Sequence, residues 1–138
     1  MELKIKRLHP DAVIPQRATD GSAGMDLYAV LKEPLTVAAG ERVRIPTGIA
    51  IGLPSPETVA LVFARSGLAV KHGLTLSNCV GVIDSDYTGE IQVGIINQSD
   101  TAYTVQPGER IAQLVITPVL QPTVVETGEG GFGSTGRH

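Results

Sequence analysis

A chain of 138 residues, 42% of them hydrophobic, has the material for one packed domain and too little for two. Its net charge of -3 provides no basic field for a phosphate backbone, which excludes duplex DNA or RNA as a main partner and leaves any anion to be bound locally. Cys79 is the only cysteine, which excludes an intrachain disulfide and disfavours a cysteine-built metal site; with no charged n-region and apolar h-region over Met1 to Asp20, the chain reads as soluble and cytoplasmic, without a membrane partner.

Leu3, Ile5 and Leu8 among Lys4, Lys6 and Arg7 predict a short half-buried strand that stops before Pro10, with Pro15 blocking any extension. Met25 to Val30 reads as a strand that carries one carboxylate, Asp26, in otherwise apolar company. Further strands are expected at Leu35 to Val37, Val43 to Leu53 and Val59 to Phe63, punctuated by Gly40, Pro46, Gly48, Gly52, Pro54 and Pro56. Leu68 to His72 offers the only helical turn. Leu74 to Leu76, Tyr103 to Val105, Ile111 to Ile116 and Thr123 to Val125 complete the set, with Pro107-Gly108 as a turn. Between them, the apolar runs Cys79 to Ile83 and Ile91 to Ile96 flank the polar stretch Asp84 to Glu90 and predict a hairpin. In that setting Cys79 is expected to be buried and inert. Many short strands with Gly and Pro turns predict an all-β fold, a jelly-roll-like antiparallel β-barrel, and 4% aromatic content leaves Val, Ile and Leu to fill it. From Gly128 the composition turns glycine-rich, too flexible to fold alone.

Three stretches hold the groups able to do chemistry. Arg65-Ser66-Gly67 presents a guanidinium fork, a hydroxyl and backbone amides suited to phosphate, although alone it reads as a surface Arg beside an N-cap Ser. The end, GEGGFGSTGR, offers open amides, the Ser134 and Thr135 hydroxyls, Arg137 and the ring of Phe132. It lacks the Lys of a GxxxxGK[ST] loop, so it fits a tail that orders on a ligand, or a tail that stays disordered. The third is the Asp84 to Glu90 turn, which by itself is explained by turn chemistry. His9, His72 and His138 are too scattered for a metal pair. The carboxylates Asp26, Asp84, Asp86, Glu90 and Glu109 are hard oxygen donors that suit magnesium, a cation usually held through substrate phosphates and its own waters.

AGMDLYA (Ala23 to Ala29), RSGLA (Arg65 to Ala69), GVIDSDYTGE (Gly81 to Glu90), GERIAQLV (Gly108 to Val115) and GFGSTG (Gly131 to Gly136) together resemble the five ordered motifs of the trimeric deoxyuridine triphosphate nucleotidohydrolases, the dUTPases. The likeness covers nearly the whole chain. It implies a homotrimer whose three active sites each combine motifs of different subunits, with residues 1–126 as the β-barrel domain and 127–138 as a flexible lid. It also implies magnesium-assisted hydrolysis of dUTP to dUMP and pyrophosphate, which limits uracil incorporation into DNA and supplies dUMP for dTMP synthesis.

Position by position, the resemblance makes Asp84 the general base for the water that attacks the α-phosphorus. Tyr87 packs under the deoxyribose, where a 2′-hydroxyl would collide. Asn78 pairs with the uracil edge, aided by the backbone around Val82, Ile83 and Gln92. Arg65, Ser66 and Gly67 form the phosphate loop, while Gln113 and Asp26 hold phosphate or metal-bound water. Phe132 caps the uracil, with Gly133 and Ser134 in the closing lid. One departure concerns Thr127, which stands where the family usually has an Arg that reaches the γ-phosphate; another is Ala64, where Pro often precedes the second motif. Two rivals are a dCTP deaminase of the same fold and a catalytically silent trimeric binding module.

Overall fold

The computed structural model describes residues 1–128 and 130. In chain order the elements are β1 (Lys4–Arg7), β2 (Met25–Tyr28), β3 (Leu35–Val37), β4 (Arg42–Pro46), β5 (Ile49–Gly52), β6 (Thr58–Ala64), α1 (Ser66–His72), β7 (Leu74–Leu76), β8 (Gly81–Ile83), β9 (Gln92–Asn97), β10 (Tyr103–Val105) and β11 (Arg110–Pro118). Every pairing is antiparallel, and α1 is the one helix among the described residues. None of their helices is long and apolar enough to cross a membrane.

Four sheets share one core. The largest runs β2-β11-β6-β8, a second β4-β9-β7, and the pairs β1-β5 and β3-β10 complete the set. β11 is central in the first sheet, so its residues meet neighbours on both sides: Leu114 lies between Met25 of β2 and Val62 of β6. Leu27, Val37, Ile45, Ile95, Val105 and Leu114 are fully buried, drawn from three of these sheets, which is how β-branched and leucine side chains close an interior with little aromatic help. Asn97 is the buried polar residue that ties loops to this core: its Nδ2 donates to the Val37 and Thr101 carbonyls at 3.0 and 2.9 Å, and its Oδ1 accepts from the Ser99 amide at 2.9 Å, so its burial leaves no amide atom without a partner.

The all-β reading and most strand positions hold, with four differences. The run Val43 to Leu53 is two strands, because Thr47 and Gly48 turn the chain with Gly48 at φ 70°, a left-handed conformation that glycine adopts without a Cβ clash. The predicted hairpin is not a hydrogen-bonded ladder: β8 pairs with β6 while β9 pairs with β4 and β7, so residues 84–91 cross from one sheet to another. Cys79 is exposed with φ 67°, because its amide closes a turn on the Leu76 carbonyl at 3.1 Å before β8 begins. Thr123 to Val125 forms no strand: Val124 and Val125 stand 91% and 72% exposed and pair with none of the strands among the described residues.

Candidate functional site

The crossing segment 84–91 builds one wall of a cavity of about 550 Å³ lined by Asn78, Val82, Ile83, Asp84, Tyr87 and Gln92. All six were expected from the sequence to serve one nucleotide, and the fold brings them together. β8 is the outer strand of its sheet, so its backbone groups that face away from β6 are free to read a flat hydrogen-bonding partner as another strand would. Asp84 follows the last residue of β8 and is exposed, its carbonyl accepting the Tyr87 amide at 3.1 Å to close a tight turn. Among the described residues its carboxylate has no hydrogen-bond or ion-pair partner, whereas Tyr87 is fixed: its hydroxyl donates to the Glu90 carbonyl at 2.7 Å.

A second cavity of about 330 Å³ gathers Asp26, Arg65, Ser66 and Gln113 with Gly24 and Arg110. Here the reason for a carboxylate on apolar β2 becomes visible. Asp26 Oδ1 lies 3.3 Å from Arg65 Nε and Oδ2 lies 3.6 Å from Arg110 Nη1, so one half-buried carboxylate holds two guanidinium groups in place. β2 and β11 set this up by pairing Asp26 with Gln113, and a register shift between Arg110 and Ala112 re-aims the Arg110 side chain as bulges do. Gln113 Nε2 donates to the Ala64 carbonyl at 3.0 Å. A Cβ at residue 24 would lie 3.2 Å from Gln113 Cβ and collide with its amide oxygen, so Gly24 is what lets Gln113 occupy this place. Ser66 is the first residue of α1, and the N-cap is Arg65, without a side-chain capping bond; the N-cap role read from sequence is therefore not Ser66's, and Ser66 is exposed and lines the cavity.

Gly67 falls instead in an adjoining cavity of about 410 Å³ with Arg65, Lys71, His72, Tyr103 and Arg110. There the Tyr103 phenol is pushed up to about 12 by burial and by its hydrogen bond to Glu109, with Arg65 opposing the shift. Phe132, Gly133 and Ser134 lie outside the described residues. Sequence reasoning missed Arg110 and Arg44. Arg110 sits in the GERIAQLV segment but its contact depends on the β2 register, and Arg44, which lines the first cavity, stands opposite Gly94 across β4 and β9 with no local signal.

Among the described residues no three His, Cys, Asp or Glu side chains cluster as a metal cage. The oxygen donors are few, Asp84 and Glu90 in the first cavity and Asp26 in the second, beside cationic or amide groups, a donor set that fits a hard cation keeping its waters and held mainly by substrate oxygens. The two Asp26 contacts leave lone pairs on its oxygens for such a water.

The dUTPase family model matches residues 11–136. A deoxyuridine 5'-triphosphate nucleotidohydrolase of Aeromonas salmonicida is 49% identical over 147 residues, covering 99% of this chain and 97% of that protein. One from Paraburkholderia phymatum is 49% identical, with full coverage of both. Among solved structures, a variant of the Staphylococcus bacteriophage 80alpha dUTPase with dUpNHpp superposes with a TM-score of 0.83 at 27% identity, covering 93% of this chain and 97% of that one.

Proposed function

The chain belongs to the dUTPase family, and from that premise we propose that it hydrolyses dUTP to dUMP and pyrophosphate, with Asp84 activating the water that attacks the α-phosphorus. The first cavity carries this reading: a carboxylate without a partner among the described residues stands beside an anchored phenol and an open strand edge, which are the parts needed to place a nucleoside and a water against each other. Proton abstraction by a positioned carboxylate contributes about 10²- to 10⁴-fold. Asn78 and the backbone around Val82, Ile83 and Gln92 read the uracil edge, and Tyr87 sits under the deoxyribose. A site built on such polar pairing rejects a wrong base by roughly 10⁴-fold or more, because a mismatch leaves buried groups unpaired.

Arg65, Ser66 and Gly67 take the phosphates, assisted by Gln113, and positioned charge at this point stabilises the negative charge that builds as the P–O bond breaks. Asp26 would hold a magnesium ion through its waters, together with the triphosphate oxygens, and the ion would supply positive charge there. The two cavities share no lining residue, and in this proposal the chain is a homotrimer of jelly-roll barrels, as the family resemblance implies, in which each site takes its nucleoside half from one subunit and its phosphate half from another. Residues 1–126 form the barrel and 127–138 the lid, with Phe132 capping the base and Gly133 and Ser134 closing on the phosphates. Removing dUTP in the cytoplasm would limit uracil incorporation into DNA and yield dUMP for dTMP synthesis.

Pyrophosphate release from dUTP by the parent protein and by Asp84→Asn tests the proposal. The parent turns over and the variant falls about 10²- to 10⁴-fold. No release by the parent would favour a silent binding module, and ammonia from dCTP would favour a deaminase.

A further inference from the structure

Resting on the reading of Tyr87 as the wall beneath the deoxyribose, we propose that Gly89 and Glu90 are positioning residues for sugar discrimination, holding that phenol where a ribose 2′-hydroxyl would strike it. Tyr87 is 47% exposed, so packing holds its ring only in part. What fixes it is a hydrogen bond from its hydroxyl to the Glu90 carbonyl at 2.7 Å, and room for the ring above residue 89. A Cβ there would lie 2.7 Å from the Tyr87 hydroxyl oxygen, 2.9 Å from Cζ and 3.3 Å from Cε1. Gly89 has no left-handed φ, so space, not backbone conformation, is the reason for glycine. Between a backbone and the end of a side chain, the side chain yields, and the phenol would swing off its acceptor.

That acceptor is tied to the core from both sides. The Glu90 carboxylate accepts the Gly48 amide at 2.8 Å and the Gln92 side-chain amide at 3.2 Å. The next residue, Ile91, donates its amide to the Ile49 carbonyl at 2.9 Å, and its carbonyl accepts the Thr47 hydroxyl at 2.6 Å. Thr47 and Ile91 are buried, so the position of the Glu90 carbonyl, and through it the ring, is set by the turn between β4 and β5. Glu90 is thus the brace and Gly89 the clearance for one aromatic wall.

The test is kcat/KM for dUTP and UTP in the parent, Gly89→Ala, Tyr87→Ala and the double variant, with circular dichroism to confirm folding. Gly89→Ala is expected to lower the dUTP-to-UTP ratio roughly tenfold, about the discrimination one displaced contact controls, and to change it no further in the Tyr87→Ala background. An unchanged ratio, equal losses on both substrates, or the same drop in both backgrounds would overturn the proposal. Should Gly89→Ala not fold, Tyr87→Phe removes only the hydroxyl and is expected to lower the ratio roughly three- to tenfold, the worth of one hydrogen bond; no change would overturn it. A crystal structure of Gly89→Ala separates the two levels of the argument. Absence of dUTP turnover in the parent defeats the enzymatic reading, whereas a Tyr87 ring still bonded to the Glu90 carbonyl in the variant defeats the positioning one.

Discussion

Asp26→Asn keeps the shape of the side chain and removes its charge, leaving Arg65 and Arg110 facing a neutral amide. The carboxylate is 16% exposed and Arg65 29%, at 3.3 Å, while Arg110 is 50% exposed at 3.6 Å. The pair with Arg110 is screened by water and contributes at most about 0.5 to 1 kcal/mol. The Arg65 pair is less solvated, and a charged contact of this kind contributes about 1 to 2 kcal/mol, so the loss should be about 1.5 to 3 kcal/mol in all. For a domain of this length that lowers Tm by about 5 to 12 °C. Thermal melts at one fixed protein concentration, which holds any association equilibrium constant, should show this drop, and the gap between parent and variant should narrow at high salt. Because Arg65 then loses its tether, KM for dUTP should rise more than kcat falls. A variant melting within a degree of the parent at low salt would refute the view that this carboxylate organises the two arginines.

Two other predictions concern Tyr103 and Thr127. The raised Tyr103 pKa means the folded chain keeps the phenolic proton while the unfolded chain releases it, so its contribution to stability is complete below about 10 and is lost as pH climbs from there to about 12; urea midpoints should fall across that window less steeply in Tyr103→Phe, and parallel curves would contradict the assignment. Thr127→Arg should lower KM for dUTP by restoring a cation near the terminal phosphate, and equal KM values would remove that idea.

The limits of reading the sequence are physical. β3, β7 and β10 are legible because short Val, Leu and Thr runs stand between clear breakers, and segments this local carry their own signal. The 84–91 segment looks like a hairpin because apolar, polar and apolar stretches alternate, yet which strand pairs with which depends on contacts far along the chain: Ile91 is claimed by Ile49 and Thr47, and that leaves β9 in another sheet. Cys79 reads as buried because its neighbours are apolar, while the turn at Asn78 rotates it outward. In the candidate site, residues that lie within the third motif, Ile83, Asp84 and Tyr87, converge on one cavity as expected. Those whose role arises from cross-strand placement, Arg44 opposite Gly94 and Arg110 against Asp26, leave no trace in the local pattern.

Hydrolysis of dUTP in water enriched in ¹⁸O probes the central claim most directly, since it reports which phosphorus the water attacks. Label should appear in dUMP and be absent from pyrophosphate, with the reaction suppressed in Asp84→Asn. Label in the pyrophosphate, or undiminished turnover by the variant, would contradict an Asp84-activated water at the α-phosphorus.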